Sequence, residues 1–342
     1  MMLAPLIRRL ALIGLVLCFV VVVLGAYVRL TAAGLGCPDW PGCYGAPTPL
    51  GINTDASAQA QFPATPVNVG KAWREMTHRY AAGTLGLIIG TLAGLAATAR
   101  GRRMIGVRFA CALLAILILQ ASLGMLTVTL RLTPLIVTLH LIFGMTTLAL
   151  LGWLWLSMQT PARGVSGAEP AQMPRRLALA ALIVLAMQIA LGGWTSSNYA
   201  ATACPDFPTC QGHWWPDTDY AHAFVLWTGL GIDYEGGVLA GPARVAIQLT
   251  HRLGACAVTL MLLLAAAVTL KTSAARATRR AAWLVLAFLA LQLVIAVAMV
   301  ERGFPLLLAT GHNAGAALLL LATIGLFRAV SPRPHEPQGS GS

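Results

Sequence analysis

The sequence predicts an all-α integral membrane protein, with eight transmembrane helices forming two pseudo-twofold-related parallel four-helix bundles. Three observations predict it. Of 342 residues, 58% are hydrophobic and only 10% charged, and the mean hydropathy is +0.75, far from the composition of soluble domains. The apolar residues gather into continuous runs about 20 residues long, the length that spans a bilayer. Several motifs occur twice, once in each half.

The first run, about 8–30, follows Arg8 and Arg9 and has the look of a signal peptide. It is long, and Arg29-Leu-Thr follows with no small-residue cleavage site, so it reads as a retained helix. Spans two to four cover about 78–99, 107–129 and 135–158. Thr160–Arg176 contains Pro, Gly and Arg and separates the halves. Spans five to eight cover about 177–197, 244–270, 281–300 and 306–328. The expected domains are therefore an N-terminal bundle, 1–160, with an outer loop 31–76, and a C-terminal bundle, 177–330, with an outer loop 198–243. A cytoplasmic linker, 161–176, joins them, and a disordered tail, 331–342, follows.

The net charge of +12 reports topology and not nucleic-acid binding. Arg8, Arg9, Arg100, Arg102, Arg103, Arg108, Arg163, Arg175, Arg176, Lys271, Arg276, Arg279, Arg280, Arg328 and Arg333 fall on one side of the alternating spans. Of the acidic residues, only Glu169 and Glu336 join them. By the positive-inside rule this side is cytoplasmic, so both termini are inside and the two long loops are periplasmic. The lack of an Arg- and Ser-rich transit peptide favours a bacterial inner membrane.

Cys37-Pro-Asp-Trp-Pro-Gly-Cys43 recurs as Cys204-Pro-Asp-Phe-Pro-Thr-Cys210, 167 residues on, and Gly25 matches Gly192 at the same offset. Thr77-His-Arg79 recurs as Thr250-His-Arg252, 173 on, and His140 matches His312, 172 on. Each half has an even number of spans, so the repeats are parallel, related by an axis along the membrane normal.

His78, His140, His251 and His312 then all fall in the first turns of spans two, four, six and eight, at one depth near the outer side. Histidine within a span is costly and points to function. Paired neutral imidazoles suit the two axial positions of a haem iron, whereas zinc would want Cys or carboxylate in a tighter cluster. A helix-end histidine bonding a loop is the plain alternative. His213, His222 and His335 have no repeat partners and read as loop residues.

Glu75 lies one helical turn before His78, and Gln248 holds the matching place in the second half. A carboxylate near a reacting centre moves protons or stabilises positive charge. Its plain role is a helix N-terminal residue paired with Arg74 or Arg79. Arg29, Arg79 and Arg252 have two open roles, pairing with haem propionates or interfacial snorkelling. The cysteine pairs lie in outer loops facing an oxidising compartment, which predicts the disulfides Cys37–Cys43 and Cys204–Cys210. Each is a loop staple or a redox-active pair. Cys18, Cys111 and Cys256 read as packing residues. Trp40, Trp73, Trp194, Trp214 and Trp215 read as an aromatic belt.

The stretch Gly25-Ala-Tyr-Val-Arg-Leu-Thr-Ala-Ala-Gly-Leu-Gly-Cys-Pro-Asp-Trp-Pro-Gly-Cys-Tyr-Gly45, with Glu75-Met-Thr-His-Arg79 and the three later histidines, closely resembles the haem A synthase family over about residues 8–328. The resemblance implies oxidation of the C8 methyl of haem O to a formyl group by successive hydroxylations. It implies substrate haem O on His78 and His140 in the first half, with Glu75, Cys37 and Cys43 important to the reaction. It implies haem b on His251 and His312 in the second half, and, by analogy, haem O synthase and oxidase assembly factors as partners. The electron acceptor and the source of oxygen stay open. Methyl oxidation needs a cofactor, since side chains alone cannot supply one-electron chemistry. Two rival readings use the same residues. A quinol-linked di-haem b electron-transfer protein would leave both haems unaltered. A membrane thiol–disulfide oxidoreductase would depend on its cysteines and not on its histidines. A transporter fits poorly, because little besides the histidines is ionisable in the spans.

Overall fold

The computed structural model describes residues 3–52, 56–63, 65–159 and 172–331. Among them are eight helices long and apolar enough to cross a membrane: α1 (Leu3–Leu30), α2 (Val69–Ala97), α3 (Val107–Thr129), α4 (Pro134–Ser157), α5 (Gln172–Ser197), α6 (Gly241–Thr272), α7 (Arg276–Glu301) and α8 (Leu306–Val330). The described residues form no β-strand, only two isolated bridges. Gln172–Arg176 of the expected linker belong to α5, while 161–171 and, in the expected tail, 332–342 lie outside the described residues.

One boundary moves substantially. α2 begins at Val69, nine residues before the apolar run. Asn68 caps it, accepting a hydrogen bond from the Lys71 backbone N–H at 3.0 Å. Lys71, Arg74, Glu75 and Thr77 hide this stretch from a hydropathy reading, yet one face is apolar. Ala72 and Met76 pack with Cys37, Cys43 and Tyr44. The helix therefore continues outward under its own loop, and the first loop ends at Asn68. Because α2 and α6 begin further out than their apolar runs, His78 and His251 fall in the third turns of these helices.

The odd helices share one ending. Ala33 N–H donates to Val28 O, Leu132 to Thr127 O, Ala200 to Thr195 O and Phe304 to Met299 O, at 2.8–2.9 Å. Each is the long bond of a Schellman cap. The residue before each donor, Ala32, Arg131, Tyr199 or Gly303, has positive φ, which only glycine adopts without strain. Three of the even helices begin with proline: Pro134 and Pro242 occupy the first turns of α4 and α6, and Pro305 is the N-cap of α8, where a missing N–H costs nothing.

Contacts run α1–α2–α3–α4 and back to α1, and α5–α6–α7–α8 and back to α5; α1 and α4 also lie against α8, and α4 and α8 against α5. The seam is tight. A Cβ on Gly152 of α4 would lie 2.7 Å from Leu321 Cδ2 of α8, and the Thr138 and Ser197 hydroxyls hydrogen-bond across it at 3.1 Å. Cys18 packs inside as expected. Cys111 and Cys256 instead lie on the outer face, where a thiol is apolar enough for lipid.

Candidate functional site

The four histidines come from the even helices, and glycines on the odd helices make room for three of them. A Cβ on Gly25 of α1 would stand 3.0 Å from His78 Cε1, one on Gly124 of α3 3.2 Å from His140 Cε1, and one on Gly192 of α5 3.3 Å from His251 Cε1. Those glycines let a helix backbone approach an imidazole face. His140 lies within electrostatic range of His78, and His251 within range of His312. Each of the four histidines is partly buried. Nδ1 of His78 and of His140 is buried without a hydrogen-bond partner. Two imidazoles from neighbouring helices of one bundle suit the axial positions of a haem iron. Among the described residues no three His, Cys, Asp or Glu side chains converge as a metal cluster would require.

The second pair is furnished differently. Gln188 Nε2 of α5 lies 3.1 Å from His251 Nδ1 and donates to His251 O at 2.9 Å. Gln292 Nε2 of α7 lies 3.2 Å from His312 Nδ1 and 3.3 Å from its Nε2. Nothing in the sequence pattern singled out these glutamines; two glutamines on odd helices at the depth of the histidines were the available signal.

Glu75 is 4% exposed and Gln248 5%. The Glu75 carboxylate accepts the Cys37 backbone N–H on Oε2 at 2.9 Å and pairs through Oε1 with Arg79. It therefore anchors the cysteine loop to the helix that carries His78. Gln248 Oε1 has no such partner.

Arg79 and Arg252 hold the loops. Arg79 Nη1 donates to the carbonyls of Asp39 (2.9 Å), Pro41 (3.2 Å) and Gly42 (2.6 Å). Arg252 donates to Thr209 O (2.7 Å), Asp206 O (2.8 Å) and Cys204 O (3.1 Å). Arg29 Nη2 donates to Ser196 O at 2.9 Å, and its guanidinium lies 4.0 Å from the Tyr199 ring centre.

Both disulfides are present, Cys37–Cys43 and Cys204–Cys210, with Cα separations of 4.8 and 4.6 Å. Their loops are built alike. The Asp39 carboxylate accepts the Tyr44 and Gly45 N–H groups, and that of Asp206 accepts those of Gln211 and Gly212 and the Thr209 hydroxyl. The Thr209 hydroxyl, followed by the Gly212 N–H, holds the Asp206 carboxyl below its usual range. Burial, reinforced by the Asp39 and Glu75 charges, pushes the Tyr44 phenol up. Trp40, Trp73, Trp214 and Trp215 are exposed. Trp194 is not part of a belt: it is 6% exposed, and its indole N–H donates to Ala223 O at 2.9 Å.

Comparison with known proteins covers the same ground. A "Heme A synthase" of Shewanella oneidensis is 40% identical over 314 residues, 91% of this chain and 93% of that one. Those of Rhizorhabdus wittichii and Methylobacterium radiotolerans are 27% and 29% identical, over 90% and 92% of this chain and 89% of each relative. The pattern of the COX15-CtaA family, described as cytochrome oxidase assembly protein, runs through residues 8–324, from the start of α1 past the last of the four histidines. A match of that extent places the whole helical assembly within one family, and the chain belongs to the COX15-CtaA cytochrome oxidase assembly proteins.

Proposed function

We propose that the chain acts as a haem A synthase, oxidising the C8 methyl of haem O to a formyl group through successive hydroxylations. The observation that carries this is the match to a heme A synthase across 91% of the chain. Each hydroxylation oxidises the carbon, so an electron acceptor takes part.

In this reading His78 and His140 hold substrate haem O by its iron. Gly25 and Gly124 fix where the two rings stand, and the seam with the second half keeps water away. Glu75 stabilises positive charge developing at the methyl carbon and then takes a proton. Its bond to the Cys37 N–H supports a role for the Cys37–Cys43 loop in shaping that side of the site. Gln248 cannot take up a proton in this way, which fits a second haem that is not oxidised. His251 and His312 hold haem b, which supplies one-electron relay when bound.

The two halves are related by a pseudo-twofold axis along the membrane normal. Matched Schellman caps, matched disulfide loops and matched arginine clamps support this. The charge distribution supports cytoplasmic termini and periplasmic long loops. Haem O synthase and oxidase assembly factors are the natural neighbours, since haem O and haem A are both too apolar to cross water.

The test is pigment analysis of protein from cells that make haem O, for the intact chain, His78→Ala and His251→Ala. The expected result is haem A or its hydroxylated precursor with the intact chain only. Bound haem that never changes would favour the di-haem b electron carrier.

A further inference from the structure

We propose that Gln188 and Gln292 are positioning residues that make the second half the site where haem stays, while the first half, without amide contacts to its histidines, lets haem come and go. The inference rests on the reading that His251 and His312 carry the resident haem.

The contrast between the halves is built from coordinated positions. Gln188 lies 167 residues after Val21, the offset that relates the cysteine loops and Gly25 to Gly192. Gly254 lies 173 after Ala81, the offset that relates His78 to His251. A Cβ on Gly254 would stand 2.2 Å from Gln188 Oε1, so the amide fits only because residue 254 is glycine. In the first half both conditions fail together: Val21 has no amide, and Ala81 has a Cβ where it would lie. The other pair in the second half repeats the device. Gly315, like Gly254, follows its histidine by three residues, and its Cβ would stand 2.2 Å from Gln292 Oε1. In the first half Gln120 holds Gln292's place, 172 residues earlier, but lies against Gly144, four residues after His140, and its Oε1 and the His140 Nδ1 are both unpartnered.

A side chain that holds a ligating histidine fixes the ring's rotation, and losing such a partner typically costs 10–100-fold in metal affinity. An amide serves an imidazole in either tautomer, because it carries both a donor and an acceptor. The bond from Gln188 Nε2 to His251 O fixes which end of that amide meets the ring.

The experiment isolates each site. In the His78→Ala background only the second pair can clamp haem, and in the His251→Ala background only the first. Haem loss to apomyoglobin from detergent-purified protein is timed, and the midpoint potential is measured. Gln188→Met and Gly254→Ala, in the first background, are expected to speed loss about tenfold and to shift the potential, because the ring is no longer held in one orientation. Val21→Gln with Ala81→Gly, in the second background, is expected to slow loss several-fold. Unchanged loss rates and potentials in Gln188→Met, Gln292→Met and Gly254→Ala would overturn the inference. If His78→Ala protein takes up no haem while His251→Ala protein does, the assignment of the resident haem itself fails, a different result.

Discussion

Arg29 Nη2 donates to the carbonyl of Ser196 at 2.9 Å, and Ser196 stands 167 residues on, at Arg29's own place in the second half. The repeat therefore meets itself at this seam, and the two partners are no longer equivalent. One half kept a guanidinium, and the other offers the backbone carbonyl it needs. Arg29→Met would remove this charged bond and the stacking on Tyr199. The expected loss is about 1–3 kcal/mol, read as a lower melting temperature in detergent. An unchanged melting curve would show that the seam does not need the contact.

Glu75→Gln keeps an acceptor for the Cys37 N–H but removes the charge that pairs with Arg79. If that carboxylate handles a proton at the methyl carbon, haem A production should fall roughly 100-fold with bound haem unchanged. Chromatography of extracted haems separates the two quantities. Normal haem A output with normal haem content would remove Glu75 from the chemistry.

Arg79→Met frees three loop carbonyls at once. The Cys37–Cys43 loop should open more often, by about tenfold for a net loss near 1.4 kcal/mol. Faster trapping by a thiol reagent under mild reductant would report it. Arg252→Met should do the same to Cys204–Cys210 and leave Cys37–Cys43 alone.

Gly25→Val and Gly192→Val each place a branched side chain against one imidazole, His78 or His251. Each should remove haem from its own half only, so Gly192→Val should strip the haem that stays through purification and Gly25→Val should leave it in place. Loss of both haems from either variant would contradict two separate sites.

The Asp206 carboxyl is held below its ordinary range by the bonds it accepts. A depressed carboxylate stabilises above its unfolded pKa, and that contribution is lost as pH falls through the folded value. Protection of the Gln211 and Gly212 amides, taken relative to the intrinsic exchange rate at each pH, should fall on acidification below about pH 4. In Asp206→Ala that protection should be low at every pH. Protection that persists at low pH would mean the loop is held by its disulfide alone.

The sequence by itself determined the eight crossings, since length and hydropathy are local properties that bilayer thickness reads directly. It also fixed the repeat, the four histidines and the cysteine pairs, because these residue types at matched offsets need no coordinates to be seen. It did not locate the start of α2, where polar residues line a helix whose apolar face packs under a loop contributed by residues 37–52. Tertiary structure alone decided that Arg79 and Arg252 clamp loop carbonyls, that Trp194 is buried, and that Gln188 and Gln292 meet their histidines. Those facts depend on which side chain of one helix faces which gap in the next, and a gap such as Gly254 acquires meaning only when its neighbour is in place.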